Sequence, residues 1–371
     1  MAKGPGDGVS ALHGGRRPAT ISDVARRAGV STATVSRTLA MPERVAEATR
    51  AAVFAAIRET GYIPNATARS LRARSTKMVL TLLNGIGDSF FTAILNAVEE
   101  ALFEAGYGMV MGDTRGDAAR ESHYDRLVRS GQVDGVLLFS GRMPAARFAD
   151  LDASVPLTLV CNDIPGQSVP FVESANRDAA RTMVEYLIGV GHRRIGHITG
   201  PMRGPEADDR IAGYRDALEA AGIAFNPGLI WQGDYRAKSG ADVAVRDFLP
   251  MADRPTAVFA ANDETAIGFI KAVRDAGLSV PVDVSVAGFD DIGYASLFDP
   301  GLTTMRQPRA ELGRVAARIL VDRMTGAGDP PSRITRLPCT LVVRESVVPP
   351  NGTAAVKTVR RRAPMEPRTA G

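Results

Sequence analysis

Cysteine is almost missing from this chain, with only Cys161 and Cys339 among 371 residues. Two isolated thiols support neither a disulfide framework nor a thiolate zinc site. Histidine is nearly as scarce, at four. His192 precedes an expected strand and His197 lies within it, with no carboxylate at a fitting spacing, so no metal is expected. His192 reads instead as a cation favoured at the end of a helix. No apolar run approaches the ~18–20 residues that span a bilayer. The opening MAKGPGDGVSALHGGRRPA lacks the apolar core of a signal peptide, which makes the cytoplasm the expected location. There is no GxGxxG opening, no Walker loop and no GxSxG elbow. Asp290 and Asp291 are neighbours at a strand end, where side chains alternate, and are expected to point apart rather than form a catalytic pair. The sequence thus predicts no enzymatic activity, no cofactor and no membrane partner.

What is present is length and an uneven distribution of charge. A chain of 371 residues is too long for one compact core and suits a small domain followed by a large two-lobed one. The hydrophobic fraction of 45% is that of a globular protein. The net charge of +4 conceals an asymmetry, because Thr20 to Lys77 carries 10 Lys/Arg against 4 Asp/Glu. Both tails, 1–19 and 349–371, are basic and expected to be disordered, which leaves Met78 to Pro350 at −8. Cations therefore gather in one short segment, as a phosphate-binding surface requires, while the body would avoid DNA.

That basic segment carries a helix-turn-helix pattern. Thr20 and Asp23 stand in capping-box spacing and start a helix with Val24, Ala25 and Ala28 on its apolar face. Gly29 supplies a tight turn, and Ser31 caps a second helix, Thr32 to Leu39, with Val35 and Leu39 expected on the buried side. The opposite face shows Thr32, Ala33, Ser36 and Arg37, short groups plus one long cation, a surface suited to base edges in a major groove. A third helix is expected over Val45 to Thr60, closed by Gly61. Beyond it, Asn65 to Arg72 reads as a short helix flanked by Arg74 and Lys77. Such a segment is marginal alone and is a candidate for folding on DNA.

The run TISDVARRAGVSTATVSRTLA…VAEATRAAVFAAIRETGYIPNATARSLR resembles the headpiece and hinge helix of the lactose-repressor (LacI/GalR) family of bacterial regulators. The resemblance implies that Thr32, Ala33 and Arg37 read bases in the major groove. It also implies that Leu71 wedges into the minor groove and kinks the site, as apolar wedges do in architectural proteins. Thr20, Ser31, Thr34 and Ser36, with Asn65 and Ala68 in the hinge, complete the expected DNA-binding set. The domains follow as a headpiece over 20–63, a hinge helix and linker over 64–77, and a two-lobed body over 78–348.

From Met78 on, short β-rich runs alternate with amphipathic segments of helical length, the sign of a parallel α/β sheet. One set runs from Met78 to Val160 and a second starts near Asn176, so two lobes in series are expected, with a ligand cleft at the carboxyl ends of their strands. GHRRIGHITGP, RIAGYRDAL, FAANDETAIG, VPVDVSVAGFDD and LTTMRQPRAELGRVA resemble the same family's effector domain, itself similar to periplasmic sugar-binding proteins, and LVVRES matches its closing strand. The fold class implied is α/β, a small all-α headpiece and hinge helix followed by a two-lobed periplasmic-binding-protein-like domain.

The resemblance places Arg210, Asp290 and Tyr235 in the cleft. Arg offers a fork to vicinal hydroxyls, Asp accepts from two, and Tyr stacks on a ring's apolar face. Phe91, Asn162 and Asn262 are further effector-binding candidates. Two departures stand out. Ala175-Asn176 occupies the place of a frequent Asp-Asn pair, and the loop from Met202 to Ala207 matches no version tied to an effector. The function implied is a DNA-binding repressor, acting as a homodimer on a pseudo-palindromic operator and controlled by a sugar or nucleoside. A small-molecule binding protein of transport or chemoreception type is the alternative, but it leaves Arg37 and Leu71 without a purpose.

Overall fold

The computed structural model describes residues 17, 19–63, 75–87, 89–139, 155–161, 163–164, 168–201 and 204–350. Asn65, Ala68, Leu71 and Asn162 lie outside these residues, as does most of each expected tail. The chain divides into two compact units, one ending at Thr76 and the other beginning at Lys77.

The first unit holds three helices, α1 (Ile21–Ala28), α2 (Thr32–Ala40) and α3 (Glu47–Thr60). Asp23 anchors the start of α1, accepting from the Thr20 backbone N–H at 2.9 Å and from its hydroxyl at 2.7 Å. Gly29 stands at φ 66°, a left-handed conformation that lets the chain turn sharply into α2. The Ser31 hydroxyl accepts from the Thr34 N–H at 3.1 Å and so caps α2. Val24, Ala25, Val35, Val53 and Ala56 form a buried centre, and Leu39 only flanks it. Thr38, rather than Leu39, is the fully buried neighbour of Val35, its hydroxyl donating to the Thr34 carbonyl at 2.9 Å. The third helix starts at Glu47 and not at the expected Val45, because Pro42–Arg44 makes a tight 3-10 turn that leaves Val45 extended.

The second unit contains two six-stranded sheets. Strands β1 (Met78–Leu83), β2 (Gly108–Asp113), β3 (Gly135–Leu138), β4 (Leu157–Val160), β5 (Phe171–Ser174) and β11 (Ile334–Leu337) form the first, in the order 11-5-4-3-1-2 and parallel throughout. Strands β6 (Ile195–Thr199), β7 (Ile230–Gln232), β8 (Ala257–Ala260), β9 (Ser285–Asp290), β10 (Thr303–Arg306) and β12 (Thr340–Val342) form the second, in the order 12-10-9-8-6-7, with only β12 antiparallel. Both faces of β1 are covered, Val79 and Leu83 entering one core and Leu80 and Leu82 another, which explains its unbroken apolar run.

Helices α4 (Ser89–Glu104) and α5 (Ala118–Arg129) belong to the first lobe, and α6 (Asn176–Val190), α7 (Pro205–Ala220), α8 (Ala237–Val243) and α9 (Asp263–Asp275) to the second. Helix α10 (Arg309–Thr325) packs on α4, so Leu312 and Leu320 share a core with Ile94 and Val98.

The sequence pattern predicts two consecutive lobes, and the fold departs from that. The chain passes between them after β5, after β10 and between β11 and β12, and α10 and β11 complete the first lobe. A parallel sheet takes its neighbours from any distance along the chain, so strand order alone does not reveal lobe membership.

Candidate DNA-reading face and effector cleft

In the first unit, Thr32, Ala33 and Arg37 are exposed on one side of α2, while Thr34 and Ser36 are half-buried. With Val35 and Thr38 inside, the helix presents two methyl-bearing side chains and one guanidinium outward, the chemistry that meets thymine methyls and guanine edges. Ser31 and Thr34 contact each other through their hydroxyls at 2.9 Å, and the Thr20 hydroxyl is held by Asp23. Those three therefore serve the helix ends first.

In the second unit, the described cleft candidates Phe91, Arg210, Tyr235, Asn262 and Asp290 stand at or after the carboxyl ends of β1, β6, β7, β8 and β9, respectively. Arg210, on the second turn of α7, is 5% exposed, and its Nε donates to Asn176 Oδ1 at 3.0 Å. One Nη donates to the Ala261 carbonyl, and the guanidinium lies 3.8 Å from the centre of the Phe289 ring and 5.8 Å from that of Tyr235. It makes no ion pair with Asp208 or Asp209. Asn176, which the departure from the family pattern singled out, is buried and holds Arg210, and its Nδ2 donates to the Ser174 carbonyl at 3.1 Å.

Asp290 ends β9 in a left-handed backbone (φ 117°) and accepts from Gln307 Nε2 at 2.6 Å. Gln307 in turn receives the Ser174 hydroxyl at 2.6 Å. Asp291 turns away to Arg306 and Arg344, both at 2.6 Å, so the two acids do point apart. Burial pushes the Asp291 carboxyl up, but the hydrogen bonds from Arg344 and Arg306 outweigh it and hold the group below its ordinary range.

Tyr235 also has a left-handed backbone (φ 70°), and its hydroxyl donates to Glu206 Oε1 at 3.2 Å. Burial raises its phenol well above the usual value, so the ring enters the site as a neutral donor and stacking face. Asn262 is committed to structure. Its Oδ1 caps α9 by accepting from the Thr265 N–H, and its Nδ2 donates to the Tyr235 carbonyl, both at 2.9 Å. It positions the Tyr235 loop.

From the first lobe, Phe91 is half-buried between Phe90 and Phe139, in edge contacts at 5.1 and 5.7 Å. Cys161, the residue after β4, has φ 66°, and its thiol is pushed up by burial and then by the carboxylates of Glu206 and Asp290. Ser89 of the first lobe reaches Glu264 of the second at 3.5 Å, which marks where the lobes face each other.

The histidines take other parts. His192 is buried, with Nδ1 2.9 Å from the Thr256 hydroxyl, and burial lowers its pKa, so the expected cation at a helix end is replaced by a ring favoured neutral. His197 lies stacked between Tyr214 and Phe259, and burial takes it down to about 4. Among the described residues, no three His, Cys, Asp or Glu side chains converge as metal ligands, and no helix is long and apolar enough to cross a membrane.

Gln307, Glu206 and Ser174 escaped the sequence reading. Glu206 stands in the departing loop Met202 to Ala207, but no local pattern marks its role or those of Gln307 and Ser174, because their partners lie on other elements.

Comparison with known proteins agrees with this geometry. Residues 20–65 match the model of bacterial regulatory proteins of the lacI family, and residues 184–347 match that of the periplasmic binding protein-like domain. The HTH-type transcriptional repressor CytR of Escherichia coli (strain K12) is 37% identical over 333 residues, covering 88% of this chain and 96% of its own length. The HTH-type transcriptional repressor PurR of Aliivibrio salmonicida (strain LFI1238) is 35% identical over 309 residues, covering 82% and 92%. Among solved structures, the lac repressor dimer bound to operator and the anti-inducer ONPF aligns with a TM-score of 0.79 at 27% identity, covering 90% of this chain and all of that one. The complex of the transcriptional regulator CelR with cellobiose aligns with a TM-score of 0.69 at 35% identity, covering 89% and 100%. The chain belongs to the LacI family of bacterial regulatory proteins and is a DNA-binding transcriptional regulator controlled by a small-molecule effector.

Proposed function

We propose that the chain is a repressor that reads its operator through Thr32, Ala33 and Arg37, assisted by Thr20, Ser31, Thr34 and Ser36. The exposed Arg37 beside two methyl-bearing side chains on one face of α2 carries this reading. The domain plan is a headpiece over 20–63, a hinge over 64–77 and an effector-binding body over 78–348. In the hinge, Asn65 and Ala68 accompany Leu71, whose wedging into the minor groove would kink the operator. Two copies pair through their bodies, and each headpiece takes one half of a pseudo-palindrome. The lac repressor dimer on its operator supports that arrangement.

The effector is a sugar or nucleoside held by Arg210, Asp290 and Tyr235, with Phe91 on the opposite wall, Asn162 as a further effector contact, and Asn262 behind the Tyr235 loop. The chain acts in the cytoplasm and without catalysis, as its repressor relatives support. A transport or chemoreception role would give the headpiece nothing to do.

The test selects bound fragments from genomic DNA and follows them by fluorescence anisotropy in 50–200 mM salt. Arg37→Ala is expected to weaken the selected site by ~1–3 kcal/mol and random DNA by less. Equal losses on both would make Arg37 a phosphate contact, and failure to enrich any fragment would sink the regulator reading.

A further inference from the structure

One carboxylate in the cleft has an oxygen with nothing to hold. Glu206 lies in the first turn of α7, inside the loop whose sequence matches no effector type. Its Oε1 accepts from the Tyr235 hydroxyl at 3.2 Å, whereas its Oε2 is buried with no hydrogen-bond partner among the described residues. Arg210 stands one turn further along the same helix, yet its Nε and one Nη go to Asn176 and Ala261. The Glu206 carboxylate folds back over the Gly204 turn, where a Cβ would lie 2.8 Å from Oε1 and 3.1 Å from Oε2. Its partner Tyr235 has its ring centre 5.8 Å from the Arg210 guanidinium, which puts the carboxylate beside the other cleft residues.

A buried acceptor without a donor is costly and persists where something else supplies the donor. Among the described cleft residues, Glu206 and Asp290 are two carboxylates set against one guanidinium, Arg210, that is already hydrogen-bonded to protein. An anionic ligand would meet like charge there, and a neutral ligand rich in O–H or N–H groups would satisfy what is missing.

We propose that Glu206 is a specificity-determining residue that accepts a hydrogen bond from the effector through Oε2, and that it restricts the effector to neutral, donor-rich molecules and rejects phosphorylated ones. This rests on the reading of the inter-lobe cleft as the effector site.

The experiment uses the full chain, with the four ribonucleosides, their 5′-monophosphates and cellobiose as probes, followed by thermal shift and calorimetry. A neutral probe is expected to raise Tm, its monophosphate to raise it less or not at all, and Glu206→Gln to weaken the neutral probe at least tenfold. The ligand-free Glu206→Gln chain is expected to melt no earlier than the wild type, since the change removes an unsatisfied buried charge. Early melting with unchanged probe affinity would assign Glu206 to structure and overturn the proposal. So would preferred binding of a monophosphate, or no response of the wild type to any neutral probe. Asp290→Ala separates the two levels. Binding lost there but kept in Glu206→Gln overturns the Glu206 assignment alone, and binding kept in both overturns the cleft reading beneath it.

Discussion

Asp263 shows how far a residue's surroundings set its chemistry. It opens α9 with its carboxylate almost wholly buried, receiving the Thr304 hydroxyl at 2.5 Å and the Ile292 N–H at 2.9 Å. Burial raises its pKa from 3.8 to about 7, the nearby Asp291 adds to the rise, and Thr304, Ile292 and Arg344 oppose it. The folded value lies above the unfolded one, so the native state binds the extra proton between the two. Stability is then expected to fall as pH rises from about 4 to about 7, with the full deficit above that window. Asp263→Asn, which can still accept from Ile292 and donate to Thr304, is expected to flatten that slope in urea melts taken across the window. An unchanged slope would place the titration elsewhere. The role of such a residue is silent in sequence, where FAANDETAIG shows only a resemblance to the family's effector domain. Arg210 and Asp290 were legible through the family strings. Glu206 and Gln307 were not, because what defines them is a partner some 29 and 17 residues away, respectively.

At the scale of elements, close approach decides which helices pair. A Cβ on Gly268 of α9 would run into the Ala237 carbonyl of α8, and one on Gly240 of α8 would meet the Thr265 carbonyl of α9. The two helices thus touch backbone to backbone through reciprocal glycines. Gly268→Ala is expected to destabilise the body by ~1–3 kcal/mol through overpacking, read from the shift of its urea midpoint at constant m-value. A neutral result would mean that α8 moves aside easily. The sequence pattern reads α9 as Glu264 to Ala276, one residue off at each end, and α8 as Lys238 to Leu249, which runs on through the wider π turn Ala244–Phe248 beyond the end of α8. Met78–Leu83 and Leu157–Val160 are read at their full extents. Strands β5 and β11 were missed. Both are four residues long and carry charged positions, and Glu173 of β5 is tolerated in the interior only because Arg336 of β11 reaches it at 2.6 Å.

Across the whole second unit, the three crossings between lobes are tied to one another by hydrogen bonds, two of the crossings through polar side chains. Ser174 precedes the first crossing and bonds to Gln307 at the second, and the Ala175 N–H donates to the Leu337 carbonyl beside the third at 2.9 Å. Gln307 holds Asp290 and Asn176 holds Arg210, so both proposed effector contacts join the crossings through one intermediate side chain. A ligand that prefers one lobe arrangement therefore acts where the lobes pivot. Effector and operator are expected to change each other's affinity by the same factor, ~5–150-fold, corresponding to ~1–3 kcal/mol of coupling. Titrating operator with and without saturating effector, and effector with and without operator, checks this. Unequal factors would point to a second binding site or a change in assembly.

The sequence by itself determined the modular plan, the capped helices with an outward Arg37, and the strand-helix alternation of the body. Each of these depends on neighbours within a few residues, through capping, periodicity and turn chemistry. Only the tertiary structure decided that α10 and β11 return to the first lobe, that His192 is buried and favoured neutral, and that Asn262 supports the site from behind. Likewise, only the fold brought an unpartnered Glu206 oxygen to the same cleft as Arg210 and Asp290. Burial and hydrogen-bond partnership arise from elements scores of residues apart, and no local pattern encodes them.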